Sequence, residues 1–195
     1  MPKAPHDASI QLQMKGQRAG EPEPRLVAEP LGDPRWSPGV GAQRLSQSEI
    51  EHLLARRLIA SLATIDEQGR IHVVPMWYRA TEGSLLFPTS SRTRKIRNLS
   101  HSSVATAMIH FARGGPNVRG MMVRGHAEVV TGDEARRLNR WIHIRYVTAH
   151  GLRQPAVAEL LRGDDVTVRL LIGDVVSWKV KAGQSPDASW SRSLA

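Results

Sequence analysis

Four times along this chain an apolar run rich in aliphatic and β-branched residues stops at a short glycine-containing loop, and another run begins at once. The loops are Asp66-Glu67-Gln68-Gly69, Ala80-Thr81-Glu82-Gly83, Arg113-Gly114-Gly115-Pro116-Asn117 and Ile172-Gly173. Connections this short join antiparallel neighbours, because a parallel pair needs a long crossover. They mark strands at Leu58–Asp66, Ile71–Arg79, Ser84–Thr89, Ser103–Phe111, Val118–Val130, Val166–Leu171 and Asp174–Val180. Helical spacing predicts helices over Arg92–Ser100, Asp133–Thr148 and Pro155–Leu161, with Thr131 or Asp133 as cap of the second. About seven strands in hairpin order, interrupted by short helices, predict a mainly β chain with α (α+β). Its expected form is a small antiparallel barrel with short flanking helices.

The fold has a marked beginning. Ser46 and Glu49 form an S-x-x-E capping box, and Leu45 and Ile50 are placed for a hydrophobic staple. Residues 1–45 carry seven of the twelve prolines and no periodic apolar pattern, which predicts an extended or disordered tail. Arg35-Trp36 within it is alternatively an arm packing on a partner subunit. The domain is placed at 46–182 and a C-terminal tail at 183–195. The net charge is +9, and the tail's six basic and five acidic residues do not account for it, so the folded part favours an anionic partner. With no cysteine, a disulfide framework, thiolate metal sites and cysteine nucleophiles are excluded. No secretory or membrane-spanning run is visible, and a cytoplasmic location is expected.

Dinucleotide, Walker, H-E-x-x-H and G-x-S-x-G motifs are absent. The eight histidines are scattered. His143 and His150 share a helical face only if one helix reaches both, and no metal site is expected. Asp164-Asp165, before a strand, reads as a turn rather than an acid–base pair. The informative segment is Thr89-Ser90-Ser91-Arg92-Thr93-Arg94-Lys95-Ile96-Arg97-Asn98-Leu99, where a strand ends, a polar turn follows and a helix opens. A helix N-terminus offers unpaired N–H groups and the positive end of its dipole. Arg92, Arg94 and Lys95 at that end are locally unfavourable unless an anion binds, and with the neighbouring hydroxyls they would make a phosphate cradle. The bland alternative is a solvated basic face. The second segment is His72-Val73-Val74-Pro75-Met76-Trp77-Tyr78: Pro75 cannot donate to a ladder and marks a sheet edge, where a planar ring has room beside the aromatic pair. Singly, Trp77 and Tyr78 read as core or interface residues.

Together these segments resemble the pyridoxamine 5′-phosphate oxidase-like family, the flavin-binding split barrels that include deazaflavin (coenzyme F420) reductases. The resemblance runs from about Ser46 to Lys181. It is carried by Leu62-Ala63-Thr64, Gly69–Trp77, Leu86-Phe87 to Thr89, Arg94–Leu99, Val123–Val129 and Val176-Ser177-Trp178. It implies a six-stranded split barrel, a homodimer, and two cofactor sites at the subunit interface holding FMN or F420. Val74, Pro75, Met76 and Trp77 would then lie along the ring. Thr89, Arg92, Thr93, Arg94 and Lys95 would hold the phosphate, and Trp178 would flank the cofactor from the partner chain. The sequence departs from the vitamin B6 oxidases proper: apart from His72 its ring strand has no basic residue, and Asp174–Ala195 has no counterpart of their Arg- and His-containing substrate motif. Both departures argue against pyridoxamine phosphate as substrate.

The leading expectation is an oxidoreductase passing hydride between FMN or F420 and a small planar substrate, the cofactor performing the redox chemistry. The arginines along 92–97, with Arg113, Arg119 and Arg124, would accommodate the anionic tail of F420. The alternative is a non-enzymatic module binding FMN, F420 or haem. Nucleic-acid binding rests on net charge alone, without a motif or stacking surface, and is not expected.

Overall fold

A computed structural model describes residues 43–112 and 117–180. Arg113, Arg35-Trp36, the tail up to Ala42 and the C-terminal tail 183–195 lie outside the described residues. The chain enters at α1 (Gln47–Ala55), started by the capping box: Ser46 Oγ accepts the Glu49 N–H, and the Ser46 N–H donates to the Glu49 carboxylate.

The strands are β1 (Ala60–Ile65), β2 (Ile71–Met76), β3 (Arg79–Thr81), β4 (Ser84–Thr89), β5 (Val104–Ala112), β6 (Val118–Val130) and β7 (Val166–Val180). Helix α2 (Arg94–His101) follows β4. Helices α3 (Gly132–Tyr146), α4 (Ala149–Leu152) and α5 (Pro155–Gly163) fill the interval between β6 and β7. All pairings are antiparallel, in the order β2-β1-β5-β6-β7-β4-β3. Strands β2 and β3 therefore stand at opposite edges, although only Trp77 and Tyr78 separate them in sequence. Such a link spans at most about 11 Å fully extended. The sheet must curl until its two edges nearly meet, leaving a seam there: a split β-barrel.

Side chains facing into the curl make the core, with Leu62, Tyr78, Leu85, Phe87, Ile109, Met121, Val123, Val168 and Leu170 fully buried. Strand β1 alternates buried and half-buried residues, whereas β4 is buried throughout, because α3 packs against it from outside. No helix among the described residues is long and apolar enough to cross a membrane.

Two strand predictions need correction. Ile71–Arg79 is not one strand in a meander: β2 pairs only with β1, and β3 only with β4. The break falls after Pro75, which lacks an N–H, and is fixed by Tyr146 at the end of α3. The Tyr146 ring stacks on Trp77 at 5.3 Å, and its hydroxyl donates to Leu58 O (2.8 Å) and Tyr78 O (3.1 Å) and accepts the Tyr78 N–H. Second, Val166–Leu171 and Asp174–Val180 are not a hairpin but halves of one strand. Both pair with β6, and Gly173 is the extra residue of a bulge between Arg124↔Asp174 and Gly125↔Ile172. A Cβ on Gly125 would lie 1.8 Å from the Leu171 carbonyl oxygen, so only glycine fits beside the bulge. The seven-strand total stands, one more than the family resemblance implies.

Candidate functional site

Where the seam opens, the end of β2, the end of β4, the start of α2 and the end of α5 enclose a cleft of about 650 Å³. It contains seven residues singled out in the sequence: Pro75, Met76 and Trp77 on one wall, and Thr89, Arg92, Thr93 and Lys95 at the base. Pro75 sits on an edge strand, as its missing donor predicts.

Lys95 is the unusual group. Residues 95, 98 and 99 form the inward face of α2, so Lys95 is buried along with Asn98 and Leu99. Among the described residues its ammonium has one hydrogen-bond partner, the Thr89 hydroxyl at 2.8 Å. Burial pushes its pKa below the ordinary lysine value, and the charge of Asp164 opposes that shift in part. Thr93, the N-cap residue, makes no side-chain cap; its hydroxyl donates to Ser90 O at 2.9 Å and lies 3.4 Å from that of Thr89. The first turn of α2 holds no acidic residue. N–H groups, hydroxyls and a buried cation therefore converge on one spot, which is the composition of an anion site.

The remaining candidates lie elsewhere. Arg94 is exposed and outside the cleft lining, because the helical period that turns Lys95 inward turns Arg94 and Arg97 outward. Val74 faces its β1 partner Leu62 and does not line the cleft. Trp178 lies toward the far end of β7, its indole over Gly120, where a Cβ would come within 2.4 Å of the ring. Helix α3 ends at Tyr146, so His143 and His150 do not share a helix. Arg119 and Arg124 are both near carboxylates, Glu49 (3.8 Å) and Asp174 (2.6 Å).

The far wall was not read from the sequence. Glu159, Gly163 and Asp164 bring two carboxylates to the cleft. The Asp164 carboxylate meets Nε2 of the buried His143 at 2.9 Å, and the His143 ring stands edge-on to Trp77 at 6.0 Å. Asn139 holds the Asp164 backbone by donating to its carbonyl at 2.8 Å. Asp165 accepts the Ser91 N–H and hydroxyl at 2.6 and 2.7 Å, bonds that hold its pKa below the usual carboxylate range. The two aspartates are thus structural clamps on the loop and on His143. They also answer part of the charge tension at the start of α2 from within the chain. The only sequence signal was their adjacency, and nothing local links residues 164–165 to 91–95.

A curled antiparallel sheet with a cleft at its open seam, lined by hydroxyls, two cations and two carboxylates, defines a split-barrel protein. The family model for pyridoxamine 5′-phosphate oxidase matches residues 46–170, and the chain belongs to that family. No curated protein matches the sequence. Among solved structures it is similar to a conserved hypothetical protein of Mycobacterium tuberculosis, with 26% identity and a TM-score of 0.60 over 74% of this chain and 91% of that one. An F420 reductase matches at 23% identity and TM-score 0.52, over 65% and 94%. The haem storage protein HutZ of Vibrio cholerae matches at 19% and 0.55, over 70% and 96%.

Proposed function

We propose that the cleft holds the phosphate and ring of FMN or F420, and that the protein is a cytoplasmic oxidoreductase acting on a small planar substrate. The observation that carries this reading is the buried Lys95 ammonium, whose one hydrogen-bond partner among the described residues is Thr89, at the foot of a wall formed by Pro75, Met76 and Trp77. The cleft volume falls within the range of about 300–1,000 Å³ usual for cofactor sites. Lys95, the hydroxyls of Thr89 and Thr93, and Arg92 would hold the phosphate. Pro75–Trp77 would bound the ring. When bound, such a ring supplies hydride transfer, and this chain supplies binding, orientation and exclusion of water. Tyr146 and His143 hold Trp77 in place, so that wall is formed before a ligand arrives.

The same reading makes the protein a homodimer. Ile71 and Val73 on edge strand β2 are 70% and 57% exposed, an apolar face suited to a second copy, and Trp178 would reach the site from that copy. The test is the visible spectrum of the purified protein, then titration of the apo form with FMN and with F420. Saturable binding followed by reduction and turnover supports the oxidoreductase. A cofactor that binds but never turns over supports a storage or sensing module, and failure to bind either cofactor overturns the site.

A further inference from the structure

A second recess, of about 480 Å³, shares no lining residue with the cleft. Lys179, on its rim, stands at the opposite end of β7 from Val166, which pairs with Thr89 of the cleft. Among the described residues its apolar floor is Leu53 of α1, Phe111 at the end of β5, and Val180. Around that floor stand the cations of Arg56, Arg119 and Lys179 against the single carboxylate of Glu49.

The pairing of these charges is uneven. Lys179 Nζ holds Glu49 Oε2 at 2.7 Å, and this bond with the Ser46 N–H keeps the Glu49 pKa at about 2, so that oxygen is committed and Oε1 alone faces Arg119. Arg119 Nη1 stops 3.8 Å from Glu49 Oε1, beyond hydrogen-bond reach, and its side chain is 51% exposed. The Arg56 guanidinium lies 3.6 Å over the Phe111 ring, a cation–π contact that uses none of its N–H donors. Among the described residues, two guanidinium forks therefore border an apolar floor with no carboxylate within hydrogen-bond distance of either, the loose Arg119–Glu49 ion pair being the nearest.

We propose that this recess binds an organic monocarboxylate with a flat apolar body. The carboxylate would be taken by the Arg119 fork, with Arg56 beside it, and the body would lie on Leu53, Phe111 and Val180. Glu49 faces the same space, and its charge disfavours a phosphate dianion there. The apolar floor gives an inorganic anion nothing to bury. This site is independent of the cofactor reading.

Equilibrium dialysis of the full-length protein against 2-naphthoate tests it, with 2-naphthylmethanol as the uncharged comparison. The expected result is one saturable site per chain, at least fivefold weaker for the alcohol and at least fivefold weaker in Arg119→Gln. Lys95→Met, which alters the other cleft, should leave naphthoate binding within twofold. Arg119 is half-exposed, so its variant should keep the wild-type melting temperature, and Arg56→Gln provides a second lesion in the same recess. Absence of saturable binding, or wild-type affinity in both arginine variants, overturns the proposal. So does loss of binding in Lys95→Met, which would put naphthoate in the cofactor cleft.

Discussion

Lys95 and Lys179 are both half-buried or deeper, both lie beside a cavity, and their electrostatic situations are opposite. Lys179 bonds the carboxylate of Glu49 at 2.7 Å, and that carboxylate also caps α1, so the lysine ties the end of β7 to the first helix. Lys95 bonds a hydroxyl, and the carboxylate it senses, Asp164, is engaged with His143. A desolvated ammonium is costly unless its charge is answered. The answered lysine is read as structural. The unanswered one is read as half of an interaction whose other half is a ligand.

The largest expected effect breaks this contrast directly. Lys95→Met should weaken FMN or F420 binding about 10- to 100-fold, the equivalent of one charge-assisted hydrogen bond of about 1.5–3 kcal/mol. Its melting temperature should not fall, because a poorly compensated buried charge is removed. Arg94→Ala alone should change affinity less than threefold, since its side chain points away from the cleft. If Arg94 proves the larger loss in the same titration, the sequence-level cradle is right and the assignment of Lys95 is wrong.

Next comes the wall that faces Lys95. Tyr146→Phe removes one hydroxyl that serves Leu58, Tyr78 and, through ring position, Trp77. Chemical denaturation should show a loss of about 1–3 kcal/mol, the cost of leaving buried backbone groups unsatisfied. Cofactor affinity should fall with it, because Trp77 loses its fixed position.

The smaller effects concern pH. Glu49 is held at about 2 in the fold against 4.5 when unpaired, so the unfolded chain binds more protons between those values. The pair's stabilisation is complete above pH 4.5 and is lost as pH falls toward 2. Melting curves of Glu49→Gln should therefore show a shallower acid slope than wild type over that window, with a difference at pH 7 of only about 2–4 °C. For Lys95 the slope has the same sign but the opposite meaning: its folded pKa is lowered by a burial penalty, so stability should rise with pH in the alkaline range below the ordinary lysine value, as the charge is lost. Lys95→Met should abolish that rise. A rise that persists would show that Lys95 does not carry the burial penalty assigned to it.

Local signals were legible wherever neighbours in sequence settle the structure. The capping box at Ser46 and Glu49 formed as spaced. Pro75 lies on an edge strand, and the turn from Thr89 to Lys95 delivers hydroxyls and a cation to one place. What failed was strand partnership. Ile71–Arg79 has the pattern of one strand, but the choice of partner on each side of Trp77-Tyr78 rests on Tyr146, nearly seventy residues away. The last two runs look like a hairpin because Gly173 lies between them. A thirteen-residue β6 offered both of them a longer ladder than they could offer each other, and glycine served as a bulge.

The sequence by itself determined the material of this protein: short antiparallel strands, a capped first helix, and a cationic turn whose charges oppose their own helix dipole. These are consequences of spacing within a few residues, where backbone geometry leaves little choice. Only the tertiary structure decided which cation is buried, that Asp164 and Asp165 stand opposite it, and that the sheet curls until its edges almost touch. Those outcomes depend on segments meeting from 34 to 74 positions apart, and the energy of such meetings is not written in either segment alone.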